Sequence, residues 1–303
     1  MNVRLVGFAI WGALLAGCLV APPKDSRADE PTRRAGIQNP LFAMNFALHD
    51  PQLATRPDAQ ARLLKETGYA GTQFLGTLEQ LEGTLTAMER AGLEVFTAAV
   101  TPYNIPVDPG KTYPAILKDA IRKLEGRKTL LLIQFVSERY ERSSPEGDAR
   151  AVELGRELAD YAKCYKVRLA IYHHVHIWCE RADHAARIAE QCGRDNLGIC
   201  VNLFHWLKTD PEGDLPVLAK SVLPVVFLVT VNGTSPEGNY QTLDQGSEAA
   251  ERFLRPFLQA GYRGPIGLQC VTLKGDPRNN LVVSMEAWKG MSARLAGSAP
   301  AAD

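Results

Sequence analysis

The sequence predicts an α/β protein built as a (β/α)8 TIM barrel, a single domain behind an N-terminal signal segment. Three observations carry this reading. Short apolar or β-branched runs alternate eight times with segments of helical periodicity, with no all-β or all-α block between them, which is the pattern of a closed parallel barrel. Of the 303 residues, roughly 260 remain beyond the N-terminal segment, close to the ~250 of one such barrel. No strand run is followed by a G-x-G-x-x-G turn, so the competing open, doubly wound sheet loses its main support.

The elements follow in chain order. Met1 to Arg4 give a short positive start, and Leu5 to Ala21 form an apolar run closed by Pro22 and Pro23. This is the layout of a secretory signal peptide, slightly short of the ~20 apolar residues of a spanning helix. Residues 1–21 are therefore read as a signal peptide, which predicts an exported, extracytoplasmic or periplasmic protein. Leu15-Ala16-Gly17-Cys18 resembles a bacterial lipobox, so a lipid anchor on Cys18 stays open beside ordinary cleavage; no other membrane attachment is expected. Residues 22–36, polar with Pro and Arg, read as a linker, 37–297 as the barrel and 298–303 as a tail.

Within the barrel, strands are expected at Phe42 to Ala47, Ala70 to Phe74, Glu94 to Val100, Thr129 to Phe135, Arg168 to His173, Leu197 to Asn202, Val225 to Val231 and Pro265 to Cys270. Each is a short, mainly apolar or β-branched run that reads as a buried parallel strand. The segments 58–67, 77–91, 112–125, 147–165, 181–192, 214–222, 247–260 and 279–295 have helical periodicity. Gly68, Gly92, Gly126 and Gly261 fall just after helices and Ser247 just before one, the usual stop and start chemistry.

Charge and cysteine usage narrow the function classes. The 34 Lys+Arg balance 34 Asp+Glu, so the molecule has no overall positive field for nucleic acid and shows no basic run in its place. Beyond the signal segment, cysteines stand at 164, 179, 192, 200 and 270 without a CxxC pair or a zinc-like spacing. Cys179 and Cys192 flank a helix and lie roughly 20 Å apart at ~1.5 Å per residue, too far to bridge. Cys200 and Cys270 sit in strand runs and read as small core residues.

In barrels of this kind the chemistry gathers where the strands end. Those ends offer Asn45 and His49, Gln73, Thr101 and Tyr103, Gln134 and Glu138, Tyr172, His173, His174 and His176, Asn202 and His205, Thr230 and Asn232, and Gln269. The set is polar but almost uncharged. Five of the six histidines fall in it, with only His184 on a helix. Clustered imidazoles suit metal ligation, proton transfer or hydrogen bonding to sugar hydroxyls.

The runs Lys65-Glu66-Thr67-Gly68-Tyr69-Ala70-Gly71, Asn202-Leu203-Phe204-His205 and Ala260-Gly261-Tyr262-Arg263-Gly264-Pro265-Ile266 resemble the xylose isomerase-like TIM barrels, the sugar phosphate isomerase/epimerase superfamily, over about residues 38 to 295. The resemblance implies a divalent cation held by Glu, Asp, His and Glu at the ends of strands five to eight, the two glutamates also moving a proton between adjacent carbons. Here Tyr172, Asn202, Thr230 and Gln269 stand at those four positions, and Gln73 replaces a Glu often found at the end of strand two. Amides keep the shape of the acids they replace but carry no charge and cannot act as a general base. Hard cations prefer carboxylate, so no Mg2+ or Mn2+ is expected; a transition metal on His174 and His205 is the one cofactor left open.

Two readings follow. One is an isomerase or epimerase acting on a sugar or hydroxy-ketone, with His174 or His205 as the catalytic proton carrier and Glu138 or Glu180 as the carboxylate that would have to reach the rim. The other is a non-catalytic exported barrel that binds a small-molecule carbohydrate. In both, Gln73, Tyr103, Tyr172, His173, Asn202, Trp206, Asn232 and Gln269 are the candidate substrate-binding residues, Trp206 having packing under the following loop as its competing role. Gln73, His174, Asn202, His205 and Gln269 are expected to converge on one pocket.

Overall fold

A computed structural model of the protein describes residues 36–297; the segments read as signal peptide and tail, and the linker except Gly36, lie outside them. Eight strands form the barrel: β1 (Leu41–Met44), β2 (Gly71–Gly76), β3 (Glu94–Val100), β4 (Leu130–Val136), β5 (Arg168–Tyr172), β6 (Leu197–Asn202), β7 (Val226–Val231) and β8 (Ile266–Gln269). Each pairs in parallel with its sequence neighbours, and β8 returns to β1 with Leu41 opposite Ile266 and Met44 opposite Gln269. The ring is therefore closed, and the eight expected strands are all present.

Strand alternation sorts side chains into two cores. Phe42, Met44, Leu130, Leu132, Ala170, Tyr172, Cys200 and Leu228 point into the barrel, while their neighbours Ala43, Leu131, Leu169, Ile171, Ile199, Val201 and Val229 face the helices. The helices are α1 (Pro57–Thr67), α2 (Leu78–Ala91), α3 (Ile116–Lys123), α4 (Asp148–Cys164), α5 (Ala182–Cys192), α6 (Leu215–Val222), α7 (Leu243–Gln259) and α8 (Pro277–Ala296). Gly68 and Gly92 close α1 and α2 in the left-handed conformation, φ 83° and 72°, which a side chain would strain.

Several boundaries move. β1 stops at Met44 because Asn45 adopts φ 58°, a left-handed turn that Asn tolerates, so Phe46 and Ala47 leave the strand. α3 starts at Ile116, beyond Pro114. α7 gains an extra turn from Leu243, but it is broken at Gly246, so its long regular part starts at Ser247 as the sequence predicts. Additional short elements are the strand Asn104–Pro106 beside β4, the antiparallel pair Gly233–Thr234 and Tyr240–Gln241, and the helices Pro51–Ala54 and Leu203–Thr209. Among the described residues the cysteines are all free, Cys164 exposed and the other four buried. No described helix is long and apolar enough to cross a membrane.

Candidate functional site

Tyr172 is the centre of the strand-end chemistry. It ends β5 pointing into the barrel and is 8% exposed. Asn202 ends β6 opposite Thr230 of β7, and Gln269 ends β8, so closure of the ring brings all four to one level. The backbone N–H of His205 donates to Asn202 Oδ1 at 2.9 Å. A backbone N–H can only donate, so this bond fixes the amide, and Asn202 Nδ2 donates to Tyr172 Oη at 3.1 Å and to Thr230 Oγ1 at 2.7 Å. Gln269 Nε2 donates to Tyr172 Oη at 3.0 Å, and Gln269 Oε1 accepts from Asn45 Nδ2 at 3.1 Å.

Two amide donors occupy both lone pairs of the phenol oxygen, so its hydrogen goes to His205 Nε2, 3.1 Å away. Burial holds the Tyr172 phenol well above its ordinary pKa, which keeps that hydrogen in place. His205 then carries its own proton on Nδ1, a buried atom with no partner in the protein. Burial, with His174 and His173 nearby, pushes the His205 pKa well below the ordinary value. The His174 ring lies 4.0 Å from the His205 ring, centroid to centroid, and its Nδ1 donates to Val175 O at 2.7 Å, leaving Nε2 as an acceptor. Burial also lowers the His174 pKa.

These groups wall a cavity of about 130 Å3 at the C-terminal mouth of the barrel. Gln73, Tyr103, Tyr172, His174, His205 and Gln269 all line it, joined by Asn45, Leu75, Ala99, Leu132, Tyr240 and Val271. Asn202 is fully buried and reaches the cavity through its bond to Tyr172.

Besides Asn202, three candidate substrate contacts are absent from the lining. His173 follows the inward-pointing Tyr172 and is fully buried, its Nδ1 donating to Glu180 O and its Nε2 accepting from Asn202 N–H; burial lowers its pKa to about 4. The Trp206 ring packs against Phe253, 5.8 Å between centroids. The Asn232 amide donates to Gly233 O and Thr234 Oγ1, bracing the loop.

Neither candidate carboxylate lines the cavity. Glu138 is exposed, and Glu180 Oε1 accepts the His176 backbone N–H and lies 3.7 Å from Arg142. Tyr240, which the sequence reading missed, sits in a hairpin rather than at a barrel-strand end and stacks on Phe204 at 4.3 Å; only its aromatic character in a loop gave any signal.

The donor set does not fit a hard dication. The four key positions present a phenol, two amides and a hydroxyl, already bonded to one another or to their neighbours. The two imidazoles do not complete a zinc site either, since no group of three His, Cys, Asp or Glu that could hold a metal occurs among the described residues and such sites take three or four protein ligands.

A family model described as xylose isomerase-like TIM barrel matches residues 61–290. No curated protein shows a significant match. Among solved structures, a xylose isomerase-like TIM barrel/4-hydroxyphenylpyruvate dioxygenase fusion protein superposes with TM-score 0.61 at 17% identity, over 82% of this chain and 42% of that one. IOLI protein with a binding zinc atom gives 0.62 at 15% identity, covering 84% and 98%. The 3-keto-D-glucoside 4-epimerase YcjR from E. coli gives 0.64 at 14% identity, covering 84% and 99%. Identities this low establish a shared fold alone.

Proposed function

The chain belongs to the xylose isomerase-like TIM barrel family, and from that premise we propose that it binds an uncharged carbohydrate at the barrel mouth without a divalent cation. The observation that carries this reading is the neutral hydrogen-bonded hub on Tyr172, built from the residues at the four positions where the family resemblance implies metal ligands. The wall offers sugar hydroxyls the His174 Nε2 acceptor, with the rings of Tyr103 and Tyr240 beside it. A charged ligand would lose its hydration with no counter-charge in the lining, at a cost of several kcal/mol.

The proton-transfer reading through His174 or His205 is weaker on the same geometry. Both imidazoles are less basic than a free histidine, and neither a carboxylate nor a cation is placed to stabilise the enolate that such chemistry would form. Calorimetric titration of the purified protein with neutral monosaccharides, in EDTA and in Mn2+, tests the proposal. Binding is expected to be equal in both, lost in Tyr172→Phe, and without deuterium incorporation from D2O into the sugar. Binding that needs Mn2+, or exchange at a carbon, would overturn it. We also propose that the protein is exported, on the strength of the apolar run Leu5 to Ala21.

A further inference from the structure

The cavity of about 130 Å3 has room for roughly four waters at ~30 Å3 each, enough for part of a sugar ring. A larger cleft of about 430 Å3 adjoins it, and the two meet at Asn45, Gln73 and Leu75. The cleft lies between the segment after β1 and the start of α2, with Phe46, Leu48, Phe74 and Leu75 among its walls.

Some of its polar atoms are engaged with the protein itself. Gln60 Nε2 donates to Leu53 O and Ala54 O, Gln80 Oε1 accepts from Thr77 N–H, and Thr72 Oγ1 donates to Ala43 O or Gln73 O. Glu79, Thr55 and Gln73, whose Oε1 is buried without a partner, also line the cleft, beside the apolar Phe46, Leu48, Phe74 and Leu75. Leu48 is 47% and Leu75 38% exposed, two of the four large hydrophobic residues left open to solvent among the described residues. Exposed leucines that share one concavity mark a binding surface more than leucines scattered singly.

We propose that this cleft is an aglycone subsite: the ligand is a glycoside whose sugar enters the polar cavity and whose apolar aryl or alkyl group lies against Leu48 and Leu75. The proposal rests on the carbohydrate reading above and adds the class of ligand. A further sugar unit would set its hydroxyls against Leu48 and Leu75, whereas an aryl or alkyl group would cover them.

The test compares methyl and phenyl β-glycosides of D-glucose, D-galactose and D-xylose, with cellobiose as the saccharide control, by calorimetry on the full chain. For the sugar that binds, the phenyl glycoside is expected to bind at least tenfold more tightly than the methyl glycoside, about 1.4 kcal/mol. Leu48→Asp should erase that advantage while leaving methyl glycoside affinity unchanged. Gly83→Phe should do the same: Gly83 lines the cleft, a Cβ there meets nothing within 4 Å, and the ring would fill the space.

Equal affinity for methyl and phenyl glycosides would overturn the aglycone subsite and leave the carbohydrate reading standing, as would cellobiose exceeding the phenyl glycoside. Phenyl glycoside binding that is lost in Leu48→Asp but survives Tyr172→Phe would show an apolar site without sugar recognition, and the carbohydrate reading would fail. Absence of binding by every glycoside would refute both.

Discussion

Mild acid is expected to destabilise this barrel through histidines that fold neutral. His173 is fully buried, its Nδ1–H held by Glu180 O and its Nε2 accepting the Asn202 N–H. Protonation would put a donor against that N–H, and burial lowers the pKa from 6.5 to about 4. A folded-state pKa below the unfolded one means that the unfolded chain binds more protons between these values, so stability is full above pH 6.5 and falls as the pH drops toward 4. At pH 5 the unfolded imidazole holds nearly one proton and the folded one about a tenth, and integration from pH 7 to 5 gives a loss of about 2 kcal/mol from His173 alone. His205, whose pKa is lowered in the same direction, adds to the loss. Against typical stabilities of about 5–15 kcal/mol, the effect is measurable. Guanidinium unfolding at pH 7, 6 and 5 should show it, together with NMR titration of the histidine Cε1–H signals. A change below about 0.5 kcal/mol over this range, or a His173 signal titrating near 6.5, would refute the reasoning.

Tyr172→Phe should lower stability by about 3 kcal/mol or more in thermal or chemical unfolding, because it strands Asn202 Nδ2, Gln269 Nε2 and His205 Nε2 around one missing oxygen. Mn2+ should leave the melting temperature of the unmodified protein unchanged. The combined variant Tyr172→Glu, Asn202→Asp, Thr230→His and Gln269→Glu should gain Mn2+-dependent stabilisation, read by thermal shift. Intact-mass analysis of protein expressed in a bacterial host should find residues 1–21 removed, or Cys18 as a lipidated first residue; an unprocessed Met1 chain in the cytoplasm would refute export.

The barrel was legible because its strands are buried on both faces: the β4 run Leu130–Val136 is apolar at every inward and outward position except Gln134, and only a parallel sheet covered by helices asks for that. The strand-end residues were legible for a related reason, since strand register brings them to one level. What alternation could have decided, but the residue-type reading did not use, is that Tyr172 and His173 face opposite ways, so both cannot line the cavity. The bonds themselves were beyond a linear reading. Tyr172 and Gln269 are 97 residues apart and meet only because β8 closes the ring, and Tyr240 reaches the cavity from a hairpin with no periodic signature.

The side chains at the four strand ends, Tyr172, Asn202, Thr230 and Gln269, depend on one another for their hydrogen bonds. Asn202 is oriented by the His205 N–H so that its amide nitrogen must donate, Tyr172 supplies the oxygen that receives it, Gln269 fills the second lone pair, and the phenol hydrogen thereby settles on His205. An aspartate at 202 would keep the bond from His205 but set its second oxygen against Tyr172 Oη and Thr230 Oγ1. Thr230 Oγ1 could turn its hydrogen to that oxygen, but Tyr172 Oη would still face it lone pair to lone pair unless the phenol turned its hydrogen away from His205. Restoring one acid alone is therefore expected to destabilise the fold without creating a metal site, whereas restoring the set removes the phenol that makes each single change unfavourable. That coupling supports the proposed wall for neutral hydroxyls.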